Sequence, residues 1–312
     1  MPPKRTCRYW LNLILFAVAV ILIAAIATSV RLAQMQAHVI VTNEVGRRGL
    51  VQSSPAEYGV TNYESLTLIA ADGVRIAAWA IPSQNRAAVI LLHGYKGNRD
   101  QMLTDAAMLA RHGYGSILID MRGNGDSEGE QVTFGKWEVL DADAAYQYLL
   151  TRSDVDPERI GITGNSMGGT VAILYAASNP QIKAVWSNST FSSLQDEVET
   201  GLKTMVGLPP FPFAPMIQYF AEQETGLRAS DVSAVAHIHE ISPRPVMITQ
   251  GGRDTQVPVD SGQKLYDAAG DPKELWFEPD LGHVELESRV PEEYERRMIA
   301  FYDHVLLDVP QK

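Results

Sequence analysis

"GITGNSMGGTVA", residues 161–172, sets Ser166 between Gly164 and Gly168. The G-x-S-x-G spacing alone decides little. With Gly and Ser each near 7% of residues, a chain of this size shows it about 0.1 times by chance. The flanks decide. "RIGIT" before the turn is a short apolar run of the kind that forms a buried parallel strand. "TVAILYAASNP" after it reads as a helix stopped at Pro180. A serine on a sharp turn from strand to helix presents its hydroxyl at the carboxyl end of a sheet. The small residues Gly164 and Gly168 let the backbone turn that tightly, and the Met167 N–H at the helix start can face a developing oxyanion.

Outward from this turn the same rhythm repeats. "ESLTLIAADGVRIAAWAIP" is a hairpin around Asp72-Gly73. "AAVILLHG", "SILIDMRGNGDS" and "IKAVWSN" are further buried strands, separated by helical runs that include residues 136–152. Alternating helices and uniformly apolar strands predict a doubly wound, mostly parallel α/β sheet, with the hairpin as an antiparallel edge. The rhythm breaks at about 189–242, where "MVGLPPFPFAPMIQYF" packs four prolines among Met, Phe, Tyr and Leu; this reads as a helical cap inserted above the sheet. Strands "RPVMITQGGRD" and "KELWFEP" then resume the sheet, and "PEEYERRMIAFYDHVLL" closes the domain, which spans 61–310.

Composition narrows the function classes. Net charge is −11, with no basic patch, so nucleic acid is not expected as a partner. The single cysteine, Cys7, excludes an internal disulfide framework and a cysteine-rich metal site. The N-terminus carries Lys4, Arg5 and Arg8 in residues 1–8, followed by the uncharged run Tyr9–Val30. As a helix that run is about 33 Å long, enough to cross a bilayer. Basic residues before it favour a cytoplasmic N-terminus with the remaining chain outside. A single-pass anchor over 9–30 is expected, followed by a juxtamembrane linker over 31–60 with Gly46, Gly49, Pro55 and Gly59. The rival is secretion after cleavage near "AIA" at 25–27. A buried core helix fits poorly with a run this long and this apolar.

A serine hydroxyl needs a base, and the base an orienting acid. The two strands after the cap end in "GGRDTQVP" and "EPDLGHVE", offering Asp254 and His283 in the order Ser, acid, His. The strand ending in His93-Gly94 places the Tyr95 amide as a second oxyanion donor. The motifs "HGYKGN", "DMRGNGDS", "GNSMGG", "GGRDTQVP" and "GHVE" resemble those of the α/β-hydrolase superfamily, most closely its prolyl-oligopeptidase-like and serine-aminopeptidase-like branch, over residues 60–310. The resemblance implies hydrolysis through an acyl-enzyme, without metal or organic cofactor, on a small acyl substrate. It carries over Ser166 as nucleophile, Asp254 as acid, His283 as base, and Tyr95 and Met167 as oxyanion donors. Esters or thioesters are the expected substrates; a short-peptide peptidase and a silent binding module are the alternatives.

Competing residues receive other readings. Asp280 shares a loop with His283 and is too near it to orient it, and Glu278 and Asp196 are lesser rivals to Asp254. His93 shapes the oxyanion loop. His237-x-His239 lacks a third metal ligand and belongs to the cap or the surface. Asp120 and Arg122 are structural; Asp141 and Asp143 are expected to be solvated. The uncharged stretch 205–220, with Met205, Phe211, Phe213, Met216, Tyr219 and Phe220, is cap core, an acyl-pocket lining, or a face that dips toward the bilayer.

Overall fold

The computed structural model describes residues 7–43 and 49–310, with Cys7 and Met205 described by backbone alone. Lys4, Arg5 and Gly46 lie outside the described residues. The chain runs α1 (Cys7–Val41), β1 (Glu64–Ile69), β2 (Arg75–Ile81), β3 (Ala88–Leu92), α2 (Leu103–Arg111), β4 (Gly115–Ile119), α3 (Glu138–Leu150), β5 (Ile160–Asn165), α4 (Met167–Ser178) and β6 (Ala184–Asn188). A helical segment follows, with α5 (Leu194–Gly201), a π turn (Leu202–Val206), α6 (Pro210–Thr225) and α7 (Ala234–His237). The chain then returns to the sheet through β7 (Val246–Gly251), α8 (Ser261–Ala268), β8 (Lys273–Glu278), α9 (Leu286–Arg289) and α10 (Pro291–Leu306).

The eight strands form one sheet in the order β1-β2-β4-β3-β5-β6-β7-β8. β1, β2 and β4 pair antiparallel, and every pair from β4 to β8 is parallel. The doubly wound sheet with its hairpin edge is therefore present. Alternation along β3 fixes the two cores. Ala88, Ile90 and Leu92 face the side covered by α3, α4 and α8, where Ala145, Val171 and Leu265 are buried. Val89 and Leu91 face the side covered by α2 and α10, where Leu109, Tyr302 and Leu306 are buried.

The N-terminal region differs from the expected linker. α1 does not stop at Val30 but continues unbroken to Val41. "RLAQMQAHVIV" is rich in good helix formers, and its i, i+4 face of Ala33, Ala37 and Val41 is buried against Ala214, Ile217 and Ala221 of α6. Small residues at Ala33 and Ala37 allow the two helices to approach closely, and both are wholly covered. Residues 8–28 are exposed throughout, including Phe16 at 69% and Ile23 at 67%. A core-helix reading of this run is thus overturned. The helix is long and apolar enough to cross a membrane.

One smaller correction concerns charge. Asp141 is fully buried, not solvated: its carboxylate accepts from Arg122 Nη2 at 2.8 Å and from the Arg122 amide at 2.8 Å. Arg122 also reaches Asp72 at 2.6 Å, so one guanidinium ties the β1–β2 turn, the turn after β4 and α3. Burial still raises the Asp141 carboxyl to about 7. Asp120 is structural in the same way, paired with Arg99 and accepting from its amide.

Candidate active site

β5 ends at Asn165, and Ser166 turns the chain into α4 with φ 54° and ψ −117°. A non-glycine residue there is strained by roughly 1–3 kcal/mol. The surroundings over-determine it. The Ser166 amide donates to Asn188 O at 2.8 Å, and Ser166 O accepts from the Gly169 amide at 3.0 Å. A Cβ at Gly164 would overlap the Gly168 carbonyl, and one at Gly168 would overlap the backbone at Leu92. The turn therefore packs backbone on backbone, which explains both glycines.

Asp254 follows β7 and His283 follows β8. His283 Nδ1–H donates to Asp254 Oδ2 at 2.7 Å. The Asp254 side chain is wholly buried and that of His283 is 12% exposed. Asp254 Oδ1 accepts from the Gln256 and Val257 amides, each at 2.9 Å, and Oδ2 also accepts from Gln250 Nε2 at 3.1 Å. Four donors hold the carboxylate in one orientation, so its burial carries no unpaired charge. Asp280 lies instead at the surface, 2.6 Å from Arg253. Asp196 sits on α5, 3.0 Å from Lys264.

Ser166 and His283 line one cleft of about 350 Å³ with Tyr95, Gln101, Gln256 and Glu287. Among the described residues, neither the Tyr95 nor the Met167 amide has a hydrogen-bond acceptor, and Met167 N opens the first turn of α4. His93 fixes the loop between β3 and Tyr95. Its Nε2 accepts from the Met121 amide at 3.0 Å, so Nδ1 carries the proton and donates to Gly94 O at 2.7 Å. Complete burial lowers this imidazole to about 4 and keeps it neutral. The loop is also tied to α1: Tyr95 Oη donates to Ile40 O at 2.7 Å, and Lys96 Nζ to Val39 O at 2.6 Å.

Several participants escaped the sequence reading. Asn188 donates to Asn165 Oδ1 at 3.0 Å and accepts from Thr249 Oγ1 at 2.7 Å, which links the carboxyl ends of β5, β6 and β7. Ser189, at φ 49°, accepts from the Val284 amide at 3.1 Å and so fastens the loop bearing His283. The signal available was a polar residue closing each apolar strand. Glu287 lies on α9, four residues after His283. Conversely, among the described residues none of 206–220 lines the Ser166 cleft. Ala214 and Ile217 are buried on α1 instead, while Phe211 and Tyr219 point outward at 81% and 56% exposure. His237 pairs with Glu240 at 3.1 Å.

A mostly parallel eight-stranded sheet, with a strained serine turn and an Asp–His pair on consecutive strand ends at its carboxyl edge, defines an α/β hydrolase. Comparisons agree. The family described as serine aminopeptidase, S33, matches residues 83–228. The uncharacterized protein YfhR of Salmonella typhi is 30% identical over 80% of this chain and 85% of its own. YqkD of Bacillus subtilis, also uncharacterized, is 26% identical over 72% and 73%. The solved structure of the Pyrococcus furiosus esterase Pf2001 superposes with a TM-score of 0.70 at 26% identity, covering 83% of this chain and 98% of that one. The chain belongs to the α/β-hydrolase superfamily.

Proposed function

We propose that the protein is a membrane-anchored serine hydrolase that cleaves ester or thioester bonds through an acyl-enzyme. The observation that carries this reading is the 2.7 Å Asp254–His283 contact on the cleft that also holds the strained Ser166. Ser166 Oγ attacks the acyl carbon while His283 Nε2 takes its proton. Asp254 holds the Nδ1–H tautomer and stabilises the imidazolium. The Tyr95 and Met167 amides receive the oxyanion, and the lack of another acceptor among the described residues leaves them ready for it. His283 returns the proton to the leaving group, then activates water to release the acyl chain. The similarity to an esterase structure supports ester chemistry. The exposed apolar run of α1 supports anchoring over residues 9–30, with the hydrolase domain on the far side from the basic N-terminus.

The peptidase alternative draws on Glu287, a carboxyl group on the cleft wall that could meet a substrate amine. Burial raises the Glu287 carboxyl, however, and its neighbour Asp105 is raised by burial and by the same proximity. A carboxyl whose charged form burial disfavours is a weaker anchor for an ammonium group than an exposed one. The deciding experiment is fluorophosphonate labelling of the full chain, followed by kcat/KM on p-nitrophenyl esters, acyl thioesters and aminoacyl anilides. Labelling of Ser166 with ester turnover ahead of anilide turnover is expected. Anilides as the fastest substrates would replace this reading with the peptidase, and absence of labelling would replace it with a silent module.

A further inference from the structure

α6 lies alongside α1, and two ends of the contact fix its direction. Near the carboxyl end of α6, Glu224 Oε1 is 2.7 Å from His38 Nδ1 and accepts from Thr42 Oγ1 at 3.2 Å. Further back on both helices, Ala33 and Ala37 of α1 are wholly covered in the cluster that holds Ala214, Ile217 and Ala221 of α6. The start of α6 therefore runs back along α1 toward the apolar run. From Glu224 to Phe213 is about 16 Å of helix. The same length measured back from His38 and Thr42 reaches the neighbourhood of Ser29 and Val30. Burial agrees: Ala33 is wholly covered, Ser29 is half-buried, and every residue from 8 to 28 is exposed. The cap thus ends level with the last turn of the uncharged run.

The stretch of the cap that carries Phe211 is itself uncharged, with Glu199 of α5 on the other side of the groove that Phe211 lines. Thr204–Ala221 contains no Asp, Glu, Lys or Arg. Phe211 is 81% exposed, Tyr219 56% and Val206 43%, while Phe213 and Met216 turn inward on α1 and its partners. Exposed Phe and Tyr on an uncharged tip, beside a helix whose next residues are a bilayer-length apolar run, match the chemistry of a membrane interface.

We propose that the cap tip, centred on Phe211, seats in the bilayer interface beside α1, so that the hydrolase receives lipid-dissolved acyl substrates from the membrane. This rests on the reading of α1 as a membrane anchor. The tip carries no cationic cluster, so the partner is the apolar interface of the lipid, not an anionic headgroup, and seating is insensitive to salt.

The test uses the full chain in phosphatidylcholine vesicles, with Cys7→Ser and Phe211→Cys carrying a nitroxide. A chain that floats with the vesicles and bears a label reached by oxygen but shielded from an aqueous nickel chelate supports the proposal. A floating chain whose label is freely reached by the chelate overturns the proposal and leaves the anchor standing. A chain that does not float overturns both. In the second arm, Phe211→Asp lowers turnover of a bilayer-held long-chain ester at least about tenfold and leaves a short soluble ester unchanged. Equal loss on both esters, or loss on neither, would overturn the proposal. A chain inert toward every ester rejects the esterase reading instead, and the label then decides the seating alone.

Discussion

The carboxyl edge of the sheet and the cap are held together on different length scales. At the sheet edge Asp254 is held by the amides of Gln256 and Val257 beside it and Ser166 by the ends of adjacent strands, and Ser189 fastens the loop that bears His283 from the next strand end. The cap depends on a distant partner, since the His38–Glu224 contact joins residues 186 apart. Sheet-edge geometry follows from strand register and turn chemistry, and a local change there should alter chemistry without altering stability much. The cap seam is a packing contact, and a change there should do the reverse.

The largest expected effects test the first half of that contrast. Ser166→Ala and Asp254→Asn should lower kcat on a soluble ester by about 10⁶-fold and about 10⁴-fold respectively, as for nucleophile and acid in other triads. Thermal melts of both variants should stay near wild type. The double variant should be barely worse than Ser166→Ala, because the residues act as a unit. Asp280→Asn serves as the comparison; if it cost more activity than Asp254→Asn, the acid would be misassigned.

The next effect concerns His93, at the junction of the two regions. Its folded-state value of about 4 lies below the ordinary imidazole range near 6.5. The unfolded chain therefore binds more protons between those values, and stability falls as pH drops from 6.5 to 4. The full shift corresponds to about 3 kcal/mol. Urea unfolding in detergent micelles should show the loss as a difference: from pH 6.5 to 4 the wild type should lose stability relative to His93→Asn, because the buried Asp141 carboxyl contributes the opposite trend equally to both. Coincident slopes would mean that the ring is reached by water.

The smallest effect probes the seam. Ala37→Leu inserts three carbons where Ala37 is wholly covered by α6. Overpacking of this kind costs about 1–3 kcal/mol, or a Tm lower by roughly 2–10 °C. Activity on a short soluble ester should fall less than twofold. An unchanged Tm would show that α1 and α6 do not share a folded unit.

The same contrast explains what the sequence disclosed. The strands near the site, the elbow, and the pairing of Asp254 with His283 are written in short runs and in their order. "RIGIT" and "VMIT" specify strands without reference to anything distant. The burial of Asp141 was not legible, because a carboxylate on a helix reads as solvated until Arg122 is known to reach it from another turn. Likewise "RLAQMQAHVIV" reads as a linker until its alanine face meets Ala214 and Ile217. Apolar residues at 205–220 announced a contact but not its partner; of the readings open to them, cap core is the one that Ala214 and Ile217 fill against α1.

The last carbonyls of α1 carry a mechanical consequence. Val39 O, Ile40 O and Val41 O are each capped by the hydrolase domain, through Lys96 Nζ, Tyr95 Oη and the Val132 amide. No swivel separates the N-terminal rod from the loop that carries the Tyr95 amide. Were α1 a membrane span, as proposed, the opening of the cleft would keep a set height and compass bearing over the lipid. A bilayer that grows thinner tilts a span of fixed length. Here the tilt would swing the whole hydrolase domain like the head of a mast, so membrane thickness would set the angle at which the catalytic cleft meets its surroundings.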